Sequence, residues 1–293
     1  MRILVPIVRA QAVHTLIAVG DALAKPRDAD GKVLGLVEVP RHPDSNVNNQ
    51  VVHRRRELLR WIADQESMAG SPAHLGIIVR VVHNVPLGIR EAVYETGANL
   101  VVIEWPGPSS PRAGTLTSVV DDLSSSPPAD LVFVRPPSRS VDLSGPIRVV
   151  VPIRGGVNAR LALDVATRLS TALGGVISLL HVVDPNHHRD RRAYDLAIAL
   201  DIASMSPSAN LIISETAGIG PAITAAATEA DVVVLGAYSA RGRHPELVRP
   251  GLADAFEAIE GLLILVRSAR LDANEPADSE PVETTLSAEP AGP

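Results

Sequence analysis

The sequence of 293 residues contains no cysteine, few aromatic side chains and no long apolar run. Without cysteine, the chain cannot form disulfides, thiolate metal sites or a thiol nucleophile, and we expect a reducing, cytoplasmic location. Aromatic residues make up 2% of the chain, which leaves few platforms on which nucleic-acid bases could stack. Because no stretch of about 18 uninterrupted apolar residues occurs, we expect no membrane insertion.

The charges are balanced once one terminal segment is set aside. The formal net charge is −6, and six of the 33 acidic residues lie within residues 271–293, which contain no base. The remainder of the chain therefore holds 27 acids against 27 bases. Such a body lacks the basic surface that nucleic acids require, so we expect no nucleic-acid partner. The polar composition of residues 271–293 predicts a disordered acidic tail.

The sequence contains an internal repeat, with two similar halves. Residues 2–7 read Arg-Ile-Leu-Val-Pro-Ile, and residues 148–153 read Arg-Val-Val-Val-Pro-Ile. Residues 98–103 match residues 230–235 at an offset of 132, and the last apolar run of each half matches at the same offset. Each half therefore predicts the element order β-α-β-α-β-α-β-α-β.

The predicted strands are near-continuous runs of Val, Ile and Leu, a pattern typical of parallel strands buried on both faces. We therefore predict an α/β fold with two tandem, doubly wound, five-stranded parallel-sheet domains. The domains span residues 1–138 and 147–270, joined by a linker at 139–146 that prolines bracket. Ligands of such sheets bind beyond the carboxyl ends of the strands, where the strand order reverses. The loops after the first and fourth strands of each half are the candidate sites.

The Val-Pro ending of the first strands, the element order and the last strands, Leu-Val-Phe-Val-Arg and Leu-Ile-Leu-Val-Arg, resemble the universal stress protein family. The resemblance covers about residues 1–135 and 147–268. It implies an adenine nucleotide alpha hydrolase-like fold in which the two domains pair through their last strands as an internal pseudo-dimer. Further oligomerisation stays open. The chain is also similar to universal-stress-like cytoplasmic domains of amino-acid permeases and cation antiporters.

The ATP motif of the family is degenerate in both halves. Nucleotide-binding members carry an acid after the first strand and Gly-x2-Gly-x9-Gly-Ser/Thr after the fourth. The acid position falls at Val8 in the first half and at Arg154 in the second. The first-half residues at the phosphate motif are Glu104, Gly107, Thr117 and Ser118. The second-half residues are Gly236, Ser239, Arg249 and Pro250.

The second half offers a basic alternative to the missing motif. Arg154, Gly155 and Gly156 place a guanidinium on a glycine turn before a helix, where backbone N–H groups bind anions. Arg249 and Arg241 are candidates to reach the same ligand, which would be ATP, AMP, another nucleotide or a small anion. The competing interpretation is a surface arginine beside a turn that needs glycine for backbone geometry. Arg9 is a weaker candidate in the first half.

The leading functional prediction is a non-catalytic, stress-response or regulatory ligand sensor, with no catalytic residue and no metal site. One alternative is a regulatory partner of a membrane transporter that binds no small ligand. The other is a weak nucleotide hydrolase, although Asp121 and Asp122 lie too far along their predicted helix to serve the phosphates. We also hypothesise that Trp105 fills the first-half pocket, and that His181 is a hydrogen-bonded histidine at a strand end.

Overall fold

The computed structural model describes residues 1–27, 29–39, 75–108, 114–238, 247–249 and 251–270, with residues 52, 53, 56, 57, 60 and 64. The predicted acidic tail, residues 271–293, lies outside the described residues. The strands are β1 Arg2–Ile7, β2 Asp30–Glu38, β3 Leu75–Val82, β4 Leu100–Glu104, β5 Asp130–Arg135, β6 Arg148–Pro152, β7 Val176–Val183, β8 Asn210–Glu215, β9 Val232–Gly236 and β10 Leu262–Arg267.

Seven α-helices connect these strands in the described part of the chain. They are α1 Val13–Ala24, α2 Val85–Thr96, α3 Gly114–Ser125, α4 Gly156–Leu173, α5 Arg189–Ser204, α6 Ile219–Ala227 and α7 Ala253–Glu257. Short 3-10 turns at Ala10–Ala12 and Lys25–Arg27 flank α1. The β-α order that the sequence predicts is therefore present throughout the second half; in the first half the helix predicted between β2 and β3 falls on residues 40–74, most of which lie outside the described residues.

The strands form one ten-stranded sheet in the order β3-β2-β1-β4-β5-β10-β9-β6-β7-β8. All neighbours within a half are parallel, whereas β5 and β10 pair antiparallel, with Leu265 opposite Phe133. The order 3-2-1-4-5 of the first half returns as 8-7-6-9-10 in the second, which confirms the doubly wound α/β fold. The last strands of the two halves pair, as expected, while the internal pseudo-dimer stays a prediction.

Alternate side chains of each central strand enter two apolar clusters on opposite faces of the sheet. On β1, Ile3 and Val5 belong to the cluster that contains α1 and α4, and Leu4 belongs to the cluster that contains α2, α3, α6 and α7. Both clusters draw residues from both halves of the chain, so the core is shared between the halves. Full burial of one such side chain stabilises the fold by about 1.5–3 kcal/mol.

The repeat extends to side-chain contacts at the start of the first strands. The Arg2 N–H donates to Asn99 Oδ1 at 3.1 Å in the first half, and the Arg148 N–H donates to Asp231 Oδ2 at 2.9 Å in the second. The two acceptors lie at the repeat offset. Arg139, from the predicted linker, lies 3.5 Å from Asp231 and donates to the Ala230 carbonyl. The domain boundaries at 138 and 147 stay predictions.

Candidate functional site

Each half has one position where the strand order reverses. In the first half β1 lies between β2 and β4, with Leu4 in register with Val101. In the second half β6 lies between β7 and β9, with Val150 in register with Val233. Because the strands are parallel, the loops after β1 and β4 meet at one edge of the sheet, and the loops after β6 and β9 do likewise.

In the first half an internal ion pair occupies this position. Arg9, just after β1, donates from Nε to Glu104 Oε2 at 3.1 Å, and its Nη2 donates to the other carboxylate oxygen. Glu104 ends β4 and is 3% exposed, whereas the Arg9 side chain is 32% exposed. A bidentate guanidinium is the partner that a buried carboxylate requires.

The pair fills two candidate ligand positions of the first half. Glu104 stands where the phosphate motif has its first glycine, so a side chain lies where the motif has none. Arg9, a candidate for anion binding, already binds this internal anion. Trp105 is buried in the apolar cluster of α2 and α3, and its backbone N–H donates to the Val134 carbonyl at 2.8 Å. Its role as a ligand substitute stays a hypothesis.

A second carboxylate lies close to Gly107. Gly107 has a φ of 94°, and a Cβ at this position would lie 3.3 Å from Glu257 Oε1 of the second half. Arg135 lies between the halves and donates from Nη1 to the Phe256 carbonyl at 2.6 Å. Burial lowers the pKa of Arg135, and the neighbouring Glu257 carboxylate partly opposes that shift. The remaining motif glycine of the first half therefore faces an acid.

The other first-half candidates do not converge on this loop. Thr117 and Ser118 are exposed and lie within α3, about one turn after its first residue. Val8 is half-buried and packs against the apolar cluster of α2 and α3. A side chain of this kind supplies no hydrogen bond to a ribose.

The second half has a different arrangement, without a carboxylate at the end of its fourth strand. Helix α4 begins at Gly156, and its N-cap, Gly155, makes no side-chain capping hydrogen bond. Gly155 and Gly156 have φ values of 115° and 81°, a region that only glycine adopts readily. Arg154, at the end of β6, is exposed, and Arg249 is half-buried. Ser239 and Arg241 lie outside the described residues.

Two close approaches limit the space around these glycines. A Cβ at Gly155 would lie 2.9 Å from Ile198 Cγ2 of α5, and a Cβ at Gly236 would lie 2.9 Å from Asn158 Cβ. Asn158 is buried, donates from Nδ2 to the Ala237 carbonyl at 3.0 Å and accepts from the Ser268 N–H at 2.8 Å. Packing of α4 against β9 thus explains Gly236 without any phosphate.

His181 lies beside the first loop of the second half. The ring is 4% exposed, with Nδ1 3.3 Å from the Ile153 carbonyl oxygen. Its Nε2 is buried and has no hydrogen-bond partner in the described structure. His181 therefore lies beside Ile153, the residue that precedes Arg154.

The described residues contain no cluster of three or more His, Asp or Glu side chains that could hold a metal ion. Asp122, which the hydrolase alternative would need, is bound by Arg90 at 2.8 Å. No helix among the described residues is long and apolar enough to cross a membrane.

Sequence reasoning missed three contributors to the site: Asn158, Ile198 and Glu257. Asn158 carries a weak signal, because it is a polar residue in the first turn of a helix that follows a glycine pair. The sequence gives no signal for Ile198 or Glu257, since each belongs to an element remote in sequence from the loop it approaches.

The structure is a doubly wound α/β protein with two repeated halves. In the first half the Arg9–Glu104 ion pair occupies the edge of the sheet where the strand order reverses. No family model matches the sequence, and no curated protein matches it either. Comparison with solved structures shows that the fold is that of universal stress proteins, as the sequence resemblance indicated.

One similar structure is a universal stress protein from Archaeoglobus fulgidus, with 15% sequence identity, a TM-score of 0.63 and coverage of 91% of this chain and 96% of that chain. The cytoplasmic domain of a prokaryotic cation chloride cotransporter has 12% identity, a TM-score of 0.57 and coverage of 92% and 95%. A functionally unknown protein from Pseudomonas aeruginosa has 12% identity, a TM-score of 0.55 and coverage of 92% of both chains.

Proposed function

We propose that this chain is a non-catalytic regulatory protein of the universal stress type, with one binding site for an anionic ligand. The site lies in the second half, at Arg154 and the amino end of α4, and takes a nucleotide phosphate or another small anion. The first half contributes structure and binds no nucleotide.

A single comparison within the chain carries the proposal. The position that holds the Glu104 carboxylate in the first half holds Gly236, with no side chain, in the second. Each first loop carries an arginine, but at different positions: Arg9 binds the Glu104 carboxylate in the first half, and Arg154 stands where the first half has Val8. Because no carboxylate ends the fourth strand of the second half, an external anion can take the position that Glu104 fills in the first half.

Local chemistry supports an anion at this position. The α4 helix has 18 residues, and the N–H groups of its first turn carry a partial positive charge. Arg154 adds a formal positive charge that is accessible to solvent, and the buried His181 Nε2 adds a further polar atom. The close approach of Ile198 to Gly155 favours a small ligand over one that lies across the whole loop.

Native mass spectrometry of the purified protein, followed by thermal-shift titration with phosphate, AMP, cyclic AMP, ADP and ATP, tests the proposal. A ligand that binds only the native state stabilises it by about 2.7 kcal/mol at a hundredfold excess over Kd. We expect a shift that Arg154→Ala abolishes. Arg160→Ala is the matched control, because Arg160 is an exposed arginine on α4, six residues after Arg154, with a side chain 61% exposed.

The absence of any shift in the wild-type protein, or an equal loss in both variants, would contradict a site at Arg154. Steady hydrolysis of ATP with magnesium would contradict the non-catalytic assignment and favour the hydrolase alternative.

A second candidate function is regulation of a membrane transporter without a small ligand. The structural likeness to a cotransporter cytoplasmic domain favours it. Co-purification of a transporter from solubilised membranes, combined with no ligand and no thermal shift, would support this candidate over the first.

A further inference from the structure

The strand β8 forms one outer edge of the sheet. It pairs with β7 on one side and ends the strand order on the other. The Thr216 N–H donates to the Val183 carbonyl, so even-numbered residues of β8 direct their backbone groups toward β7. Because this direction alternates along a strand, the N–H and C=O groups of Leu211 and Ile213 point away from the sheet. Such an edge is a template for a further strand.

Both faces of this edge expose aliphatic side chains. Ile212 is 44% exposed and Ile213 is 48% exposed, and consecutive residues of a strand lie on opposite faces. On the Ile213 face, Arg192 of α5 reaches Glu215 of β8 at 3.3 Å. Leu200 of the same helix is 53% exposed.

The edge carries few of the features that commonly prevent edge-to-edge pairing, and its one charged residue, Glu215, is paired with Arg192. Asn210–Glu215 contains no lysine, arginine, proline or glycine. The opposite edge strand, β3, carries Arg80, whose Nη1 donates to Glu95 Oε1 at 3.0 Å; this hydrogen bond raises the pKa of Arg80. Strand β8 carries no basic residue of this kind and exposes an isoleucine on each face, so it is suited to pairing with a further strand.

We propose that β8 is a self-association surface, on which β8 of a second copy of this chain pairs antiparallel about a twofold axis at Ile212. In this register Ile212 lies opposite its own copy on one face. Leu211 lies opposite Ile213 on the other face, so their outward backbone groups exchange hydrogen bonds. Every exposed aliphatic residue of the strand then meets another aliphatic residue.

The polarity of the strand favours a second copy as the occupant, because in this register polar Asn210 faces polar Ser214 and the three aliphatic residues between them face one another. The single charged residue of the strand, Glu215, is held by Arg192 of its own chain, and the proposed register places it opposite the neutral Ala209. Pairing with itself therefore opposes no like charges. The alternative register, centred on Ile213, would place the charged Glu215 opposite the apolar Leu211 and is therefore less favourable. The last strands β5 and β10 already pair with each other, so β3 and β8 are the two ends of the sheet that remain.

The absence of cysteine makes the register directly testable in the full chain. Ile212→Cys introduces the sole thiol. The proposed pairing is of the non-hydrogen-bonded type, with Cα atoms about 4.5 Å apart, which lies within disulfide range. We expect mild oxidation to link Ile212→Cys into a covalent dimer. Val81→Cys is the control, because Val81 is 45% exposed on the opposite edge strand. A failure of Ile212→Cys to cross-link, or cross-linking confined to Val81→Cys, overturns the proposal.

Analytical ultracentrifugation across a wide concentration range tests the association itself. A six-residue strand is small beside the roughly 800 Å² per partner of a standard interface, so we expect a concentration-dependent dimer. Ile213→Lys should shift the protein to the monomer at every concentration, whereas Val81→Lys should leave the dimer unchanged. A monomeric wild-type protein, or a dimer insensitive to Ile213→Lys, overturns the proposal. Circular dichroism of the variants checks that the fold persists.

Discussion

Among single residues, the Arg9–Glu104 pair has the largest consequence, because it places a buried carboxylate at the nucleotide position of the first half. Arg9→Ala leaves that carboxylate unpaired, and we expect a loss of about 3 kcal/mol in the free energy of unfolding. The double variant Arg9→Ala, Glu104→Ala should recover much of this loss. Urea denaturation of Arg9→Ala, Glu104→Ala and the double variant measures the coupling. Equal stability of wild type and Arg9→Ala would show that the pair contributes nothing.

Asp231 gives the fold a defined dependence on pH. Burial acts to raise the pKa of Asp231, but hydrogen bonds from Arg148 and the charges of Arg148 and Arg139 outweigh it and lower the pKa. A lowered folded-state pKa contributes stability above the unfolded value, about 3.9, and this contribution disappears as pH falls through the folded value.

Asp231→Asn tests this dependence, and Asn99 shows that the repeat accepts an amide at this position. The asparagine keeps an acceptor for the Arg148 N–H and loses the charge. We expect a deficit of about 1 kcal/mol or less at neutral pH, which shrinks below about pH 4. Urea midpoints measured over this range check it. A deficit that stays constant with pH would contradict the electrostatic explanation.

Among secondary-structure elements, the approach of α4 to β9 depends on Gly236. A Cβ there would lie 2.9 Å from Asn158 Cβ and 3.1 Å from the Asn158 carbonyl carbon. Because helix backbone cannot give way like a flexible side chain, we expect Gly236→Ala to cost about 1–3 kcal/mol without any ligand. Gly76→Ala is the control, since the nearest heavy atom to its Cβ would be 4.0 Å away. Thermal unfolding of both variants decides between packing and a purely ligand-related role for Gly236.

The sequence predicts the strands well because strands buried on both faces are uninterrupted aliphatic runs. The matching segments 98–103 and 230–235 each contain such a run, and β4 and β9 begin within them at Leu100 and Val232. The residue before β9, Asp231, instead accepts a hydrogen bond from the Arg148 N–H.

The candidate site is less predictable, because its contacts depend on residues far apart in the sequence. The motif spacing suggests a phosphate role for Gly236, whereas the structure shows that Asn158, 78 positions earlier, needs the same glycine. Similarly, the spacing identifies Glu104 as a departure from the motif, but not that Arg9 binds it. Sequence patterns locate the loops and leave their partners undetermined.

In the whole molecule, one continuous sheet and two shared apolar clusters join the halves. We therefore expect a single cooperative unfolding transition, because neither half can lose its last strand without exposing the core of the other. Differential scanning calorimetry should give equal calorimetric and van't Hoff enthalpies. Two resolved transitions would show that the halves unfold independently.

The central claim is that the Arg9–Glu104 ion pair occupies the candidate ligand position of the first half, whereas the second half has a site for an anion at Arg154. Isothermal titration calorimetry with the nucleotide that gives the largest thermal shift tests it most directly. We predict one site per chain, retained in Arg160→Ala and lost in Arg154→Ala. Two sites per chain, or one site that persists in Arg154→Ala, would contradict the claim.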